Sequence, residues 1–328
     1  MMEKTLKCTS LKVDISDVDL KPGPFTMSFN FNLEPLKASI DKFGVLNPPY
    51  LLKNSDSTFS VVAGYRRLLA VRELGWPDIH CQIVPDTFPP LKALLLNLND
   101  NLIHRQLNNI EKGMILKRLT RFLKEEEIVS DFMPTLGIPA NKPTLRLFLA
   151  LEELEESIRI SVAMERLSLR VAGLMPSIGR DDRLRINDLF TSLKFSFNRQ
   201  WEITQWVMEI AKREGLSISE VIDKGDIIEV LNNDRINNAQ KVKLIVEILK
   251  SKRFPSLLEA ERLFRQGLSN LRLPSGVKII PPPFFEGIDY RLEIVFTKGE
   301  GLKETLAGLS HLSGLERVTD FWKGIGHR

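Results

Sequence analysis

The stretch that decides the fold reads Val61-Val62-Ala63-Gly64-Tyr65-Arg66-Arg67-Leu68-Leu69-Ala70. Together with Phe59-Ser60 before it, the first part reads as the end of a β-strand. Gly64 stops the strand, and the residues after it run as a helix with two arginines in its first turn. Glycine at such a junction lets a ligand approach the backbone closely, while the free N–H groups and positive dipole end of the helix favour an anion. Arginine adds forked donors that match phosphate oxygens. An isolated Gly-x-Arg-Arg equally suits a strand–turn–helix with solvated arginines, so the surroundings have to decide.

Upstream, Tyr50-Leu51-Leu52 reads as a partner strand across the polar turn Asn54-Ser55-Asp56-Ser57. Pro35 sits where a first helical turn tolerates proline, Leu36, Ile40 and Phe43 follow on one face, and Gly44 ends that helix. Residues 1–32 read as an irregular lead-in, with turn chemistry at Lys21-Pro22-Gly23-Pro24. Downstream, a helix from Tyr65 to Leu74 is closed by Gly75, a strand follows over Ile79 to Val84, and Pro89-Pro90 opens another helix. This alternation predicts a small α/β domain over residues 1–111. Residues 112–251 read as helical, with apolar stripes at Ile115, Leu119, Phe122 and Leu123, at Leu154, Ile158 and Val162, and at Val242, Ile245, Val246 and Leu249. Strand signals return only at Gly276 to Ile280 and Tyr290 to Phe296. They flank Pro281-Pro282-Pro283 and precede a helix over Leu302 to Leu312, which makes residues 252–328 a small α/β unit. The expected class is α+β.

The chain has 328 residues, of which 43% are hydrophobic and 27% charged, which suits two or three folded domains. Its start has no apolar core of the signal-peptide kind, and no stretch approaches the roughly 20 apolar residues of a membrane span, so a cytoplasmic protein without membrane attachment is expected. The two cysteines, Cys8 and Cys81, stand far apart without a metal-ligand pattern and fit a reducing compartment. The net charge is only +4. Residues 1–111 carry 12 basic and 12 acidic side chains, 141–199 carry 10 and 8, 200–240 carry 4 and 8, and 241–328 carry 15 and 10. No segment is a basic arm, so any contact with DNA has to come from a localised site.

Three boxes in order give the junction its context. Ser39-Ile40-Asp41-Lys42-Phe43-Gly44-Val45-Leu46-Asn47-Pro48 is the first, and Gly64-Tyr65-Arg66-Arg67-Leu68-Leu69-Ala70 is the second. The third is Asp100-Asn101-Leu102-Ile103-His104-Arg105, followed by Leu107-Asn108-Asn109-Ile110-Glu111. Together they resemble the N-terminal domain of the ParB partition proteins, a member of the ParB/sulfiredoxin fold, with the resemblance strongest over residues 33–175. Asn47 stands where the family has glutamine, Tyr65 where it has glutamate, and Asp100 where it has a longer carboxylate.

The resemblance implies a pocket for CTP with magnesium. Gly44, Val45 and Pro48 would flank the nucleotide; Gly64, Tyr65, Arg66 and Arg67 would hold phosphates. Asp100 and Asn101 would face the phosphates, with Asn101 toward the metal. An ungapped match places His104 at the family's arginine position. Helical spacing turns Arg105 about 100° away from it. His104 and Arg105 are therefore the candidates for any catalytic step, with hydrolysis of CTP slow or absent. Other members of the fold fit less well. There is no cysteine at the turn, as sulfiredoxin needs; no distinctive carboxylate for phosphoryl transfer; and no acidic or histidine cluster for a two-metal nuclease.

The family continues into a helix-turn-helix, and its counterpart here runs from Phe132 to Leu151. Gly137 suits the turn and Pro143 the start of a recognition helix, which places Lys142, Thr144 and Arg146 near its N-terminus, where such helices meet DNA. Pro134 and Pro139 are awkward for a standard version, and Glu152, Glu153, Glu155 and Glu156 would repel phosphate if they faced a duplex. An all-helical spacer is the alternative. Leu167-Ser168-Leu169-Arg170-Val171-Ala172 again resembles the family, and the closing strand and helix resemble its small dimerisation unit. The resemblance as a whole implies a CTP-gated, DNA-binding homodimer acting in partition with a ParA-type ATPase. An enzyme using the same phosphate cradle, as a nuclease or a phosphoryl transferase, is the second reading.

Overall fold

The computed structural model describes residues 7–287 and 289–312; the expectations that touch 1–6 and His327 lie outside them. The fold is α+β, and the chain divides by packing into one compact unit over residues 1–204 and another over 205–328. The expected boundaries at 111/112 and 251/252 follow motifs. The packing boundary falls instead inside a helix, for a reason that lies in the helices after the sheet.

The first unit opens with strand β1 (Thr9–Asp14) and a short β2 (Val18–Asp19), where an irregular lead-in was expected. Helix α1 (Glu34–Phe43) follows, then β3 (Tyr50–Lys53), β4 (Phe59–Ala63), helix α2 (Tyr65–Glu73), β5 (Asp78–Val84) and helix α3 (Pro90–His104). The strands form one mixed sheet in the order β1-β5-β3-β4-β2. β3 pairs antiparallel with β4 and parallel with β5, β1 lies antiparallel on β5, and β2 parallel on β4. β4 is nearly continuous in burial: Val61, Val62 and Ala63 are all sealed from solvent, as in a strand covered on both faces. β1 escapes a sequence reading because five of its six residues are exposed and Val13 alone is buried. In α1, Ile40 enters the core while Phe43 is 61% exposed, so the expected apolar stripe stops one turn short.

Helices α4 (Asn109–Leu119) and α5 (Glu125–Glu127) lead into a π-helical turn at Ile128–Phe132. Next come α6 (Lys142–Ala150), α7 (Glu156–Ala163), α8 (Leu169–Ala172), α9 (Arg180–Ser192) and α10 (Phe197–Glu214). α4 ends at Leu119, which leaves Phe122 43% exposed rather than on the expected stripe. α4 packs against α6 and α7, which ties the first helical region to the sheet domain. The approach is close: a Cβ on Gly113 of α4 would lie 2.8 Å from the Phe148 carbonyl of α6, and one on Gly173 would lie 2.8 Å from Leu147.

In the second unit, α11 (Ile218–Ile222), α12 (Gly225–Leu231), α13 (Asn238–Arg253) and α14 (Pro255–Asn270) precede an antiparallel pair, β6 (Val277–Ile280) and β7 (Arg291–Ile294). Helix α15 (Gly299–Ser310) follows. Ile245 and Leu249 are buried on α13, and a small core gathers Ala260, Phe264, Leu271 and Phe285. Among the described residues no helix is long and apolar enough to cross a membrane.

Candidate functional site: a cleft at the β4–α2 junction

The core strand β4 ends at Gly64, which adopts a left-handed backbone (φ 90°) and caps α2. No other residue fits there: a Cβ would sit 2.9 Å from Pro49 Cβ and 3.2 Å from Arg67 Nε, on top of the positive φ. The bare glycine opens onto a cleft of about 540 Å³, within the ~300–1,000 Å³ range of small-ligand pockets. Helix α3 forms a second wall. Asn97, Asp100, Asn101 and His104 recur on one of its faces, and the buried Asn97 amide donates to the Val62 carbonyl, which fixes α3 on β4.

Of the residues expected from sequence, Gly64, Tyr65, Arg66, Arg67, Asp100, Asn101, His104 and Arg105 line this cleft. Gly44, Val45 and Pro48 do not. Gly44 (φ 75°) closes α1, Val45 packs on the sheet core, and it is Asn47 that reaches the cleft, with its carbonyl accepting 2.6 Å from Arg67 Nη1. Met27, Ser28 and Asn32, from the segment read as lead-in, and Pro35, Leu36 and Ser39 of α1 complete the lining.

The two arginines after Gly64 are held differently. Arg67 forks between the Asn47 carbonyl and the carboxylate of Asp100. Arg66 donates to Glu111 Oε1 at 2.5 Å and to Ser28 Oγ at 3.2 Å, and its guanidinium lies 4.4 Å from the Phe31 ring centroid. Burial and the nearby charge of Arg105 bring the Arg66 pKa below its ordinary value, and Glu111 opposes them. Tyr65 packs edge-on to Phe31 and donates to the Leu20 carbonyl at 3.2 Å; burial pushes its pKa up.

The end of α3 corrects the helical argument about Arg105. The helix stops at His104, and Arg105 takes extended backbone, so its side chain turns back into the site instead of continuing around the helix. Its Nε donates to Asn101 Oδ1 at 2.7 Å and its Nη1 to Glu111 Oε2 at 2.6 Å. Its Nη2 is buried without a hydrogen-bond partner. His104 stays 48% exposed, with Nε2 3.8 Å from Asp100.

Glu111, which sequence reasoning read only as a landmark, is 1% exposed at the third position of α4. Each carboxylate oxygen accepts twice, one from Arg66 and the Phe29 N–H, the other from Arg105 and the Asn108 N–H. The available signal was the capping box Asn108-x-x-Glu111, which the structure forms.

Such a cleft suits an anion. Three guanidinium groups converge on it, one donor is unspent, and Gly64 lines it with a left-handed turn packed against Pro49. Cys81 offers no nucleophile, since it is fully buried and burial pushes its thiol up to about 12. Among the described residues no three His, Cys, Asp or Glu side chains gather as a metal-binding group.

Away from the cleft, α6 starts at Lys142 with Asn141 as its cap, the Asn141 side chain accepting from the Thr144 N–H at 2.8 Å. Lys142 and Arg146 are exposed, and Lys142 pairs with Glu126 at 2.6 Å. Pro134 and Pro139 fall outside regular helix on either side of Gly137 (φ 65°). Glu152 and Glu153 lie near Arg118 and Lys117, and Glu155 is held by Arg183 at 2.6 Å and Arg180 at 3.5 Å.

Sheet domain and anion cleft together define a class, a small α/β domain that presents a phosphate cradle at a strand–helix junction. Comparison adds that residues 3–102 match the family described as the ParB N-terminal domain. Two relatives extend the likeness. The nucleoid occlusion protein of Geobacillus sp. (strain WCH70) is 28% identical over 178 residues, 50% of this chain and 58% of that protein. The probable chromosome-partitioning protein ParB of Campylobacter jejuni is 24% identical over 259 residues, 74% of this chain and 88% of that protein. The chain thus spans under two thirds of the first relative's length. Among solved structures, C-terminally truncated ParB from Caulobacter crescentus, complexed with CTP-γ-S, is 20% identical over 56% of this chain and 98% of that one, with a TM-score of 0.27.

Proposed function

We propose that this protein is a nucleotide-gated DNA-binding protein of the ParB type, acting in DNA partition or related nucleoid organisation. The observation that carries the proposal is the Gly64 cradle, with Arg66, Arg67 and Arg105 converging on one cleft of a domain whose residues 3–102 match the ParB N-terminal domain family. A triphosphate fits this donor set: the first-turn arginines and Arg105 meet its oxygens, and the α2 N-terminus adds its dipole. CTP with magnesium is the nucleotide that the family resemblance implies, and Asn101 is the residue that would face the metal. Bound nucleotide supplies differential affinity for two states of the protein, which is all that a switch needs.

Double-stranded DNA is the second ligand, met by Lys142, Thr144 and Arg146 at the exposed start of α6. The relatives' names, nucleoid occlusion and chromosome partitioning, support that assignment. A second copy of the chain, a ParA-type ATPase and a cytoplasmic location complete the reading.

Titration calorimetry with the four nucleoside triphosphates and magnesium, with and without duplex DNA, tests the proposal. CTP binding that changes when DNA is present is the expected result. No heat from any triphosphate under either condition would overturn it.

A further inference from the structure

The cleft's arginines are oriented from behind by one buried carboxylate, and nothing in the nucleotide reading requires that. Glu111 spends both oxygens fully: Arg66 and the Phe29 N–H on one, Arg105 and the Asn108 N–H on the other. The carboxylate is 1% exposed, whereas the two guanidinium groups are 24% and 18% exposed. Each arginine gives one terminal nitrogen to Glu111 and its Nε to a second partner, Ser28 for Arg66 and Asn101 for Arg105, while Nη2 of Arg105 is a buried donor with nothing to bond. The chain leaves α3 at Arg105 and re-enters helix at Asn109, so Glu111 comes back beside the residues that precede the turn.

We infer that Glu111 is a positioning residue for the phosphate site, holding Arg66 and Arg105 with their remaining N–H groups toward the ligand. The inference rests on the nucleotide reading above. It competes with a simpler role: a buried counter-charge that a phosphate must displace. The two differ in sign. A positioning carboxylate lowers the cost of ordering two long side chains, so losing it weakens phosphate binding. A competing carboxylate opposes the incoming anion, so losing it tightens binding. The geometry favours positioning, because the carboxylate is locked by two backbone N–H groups and does not depend on the arginines for its place.

Glu111→Gln tests this in the full-length protein. Glutamine is also accepted at the third position of a capping box, so α4 retains its start. It removes the charge and leaves one acceptor oxygen where two served. Affinity for CTP with magnesium, and for inorganic tripolyphosphate as a probe of the phosphate cradle alone, should both fall about tenfold or more. Asn141→Ala removes the cap of α6 in the same unit without touching Glu111 or the arginines, and should leave both affinities within about twofold. Nitrogen-15 NMR of the arginine side chains adds a readout independent of ligand. In the free wild-type protein, restrained guanidinium rotation should give resolved Nη signals for Arg66 and Arg105, and these should collapse in Glu111→Gln.

Unchanged or tighter binding in Glu111→Gln would overturn the inference, as would an equal loss in Asn141→Ala. Freely rotating guanidinium groups in the wild type would also overturn it, whether or not the variant folds. If the wild type binds neither CTP nor tripolyphosphate, the nucleotide reading fails, and the NMR signals still decide whether Glu111 orders the arginines.

Discussion

Arg67 bridges two walls of the cleft, taking the Asn47 carbonyl with one nitrogen and the Asp100 carboxylate with another. Arg67→Ala should remove roughly 1.5–3 kcal/mol of binding, about tenfold or more in affinity, and lower the melting temperature, because the largely buried Asp100 carboxylate loses its arginine partner. Unaltered affinity for every nucleotide in calorimetry would take Arg67 out of the site. At the end of α3, the structure reverses an expectation drawn from helical spacing. Because Arg105 turns inward and His104 stays half in solvent, Arg105→Ala should cost nucleotide affinity by a similar factor, while His104→Ala should change it by less than about twofold. The opposite ranking in the same titrations would restore His104 as the functional residue. Gly64, Arg66 and Arg67 were legible because they fall in one short run, and the chemistry of a strand–helix junction is local. Glu111 was not, since its partners lie across a chain reversal whose geometry depends on Arg105 leaving the helix. A periodicity argument carried that helix one residue too far.

At the scale of elements, β3, β4, α2 and β5 were readable because each has an apolar run and a glycine or polar turn to bound it. β1 was not, because an edge strand with a single buried residue carries no alternation to read. The segment expected to form a helix-turn-helix shows how local awkwardness is absorbed. Its two suspect prolines fall outside regular helix, and the acidic run that threatened to repel DNA has basic neighbours on α4 and α9. The exposed start of α6 leaves Lys142 and Arg146 available, and Lys142→Ala and Arg146→Ala should each lower the salt slope of DNA binding by about one unit. Slopes equal to wild type would remove α6 from the DNA interface. The Glu155–Arg183 pair makes a pH-dependent prediction. Its hydrogen bond to Arg183 leads the causes that hold the Glu155 pKa below the ordinary glutamate value. This stabilisation is fully present above the unfolded pKa, near ~4.3, and is lost as pH falls through the lower folded value. Glu155→Gln should therefore flatten the acid limb of stability below about pH 4.5 and reduce stability at neutral pH. Denaturant melts over that range would show it, and parallel wild-type and variant curves would refute it.

At the scale of the whole molecule, motif boundaries and packing boundaries part company. A division after residue 111 follows the resemblance, yet it cuts through α4, which begins at Asn109 and whose third residue, Glu111, bonds Phe29 and Arg105 of the sheet domain. Ile110, Ile115, Leu116 and Leu119 of the same helix are fully buried, and burying each such side chain contributes about 1.5–3 kcal/mol. A fragment of residues 112–251 would cut α4 after its third residue, discard its cap, and take parts of both compact units. A fragment of residues 1–214 keeps the first unit whole and extends to the end of α10, because the packing boundary at 204 lies within that helix. The shorter-headed fragment should therefore unfold over a broad, shallow denaturant range, whereas 1–214 should give one sharp transition. Loss of DNA affinity in 112–251 would then report unfolding and say nothing about α6. Fragment 1–214 is the sound test: it should bind duplex DNA at low salt and release it steeply as salt rises. A sharply folding 1–214 that ignores DNA at every salt concentration would make the middle of the chain a helical spacer, and the DNA contact would have to be sought in residues 215–328.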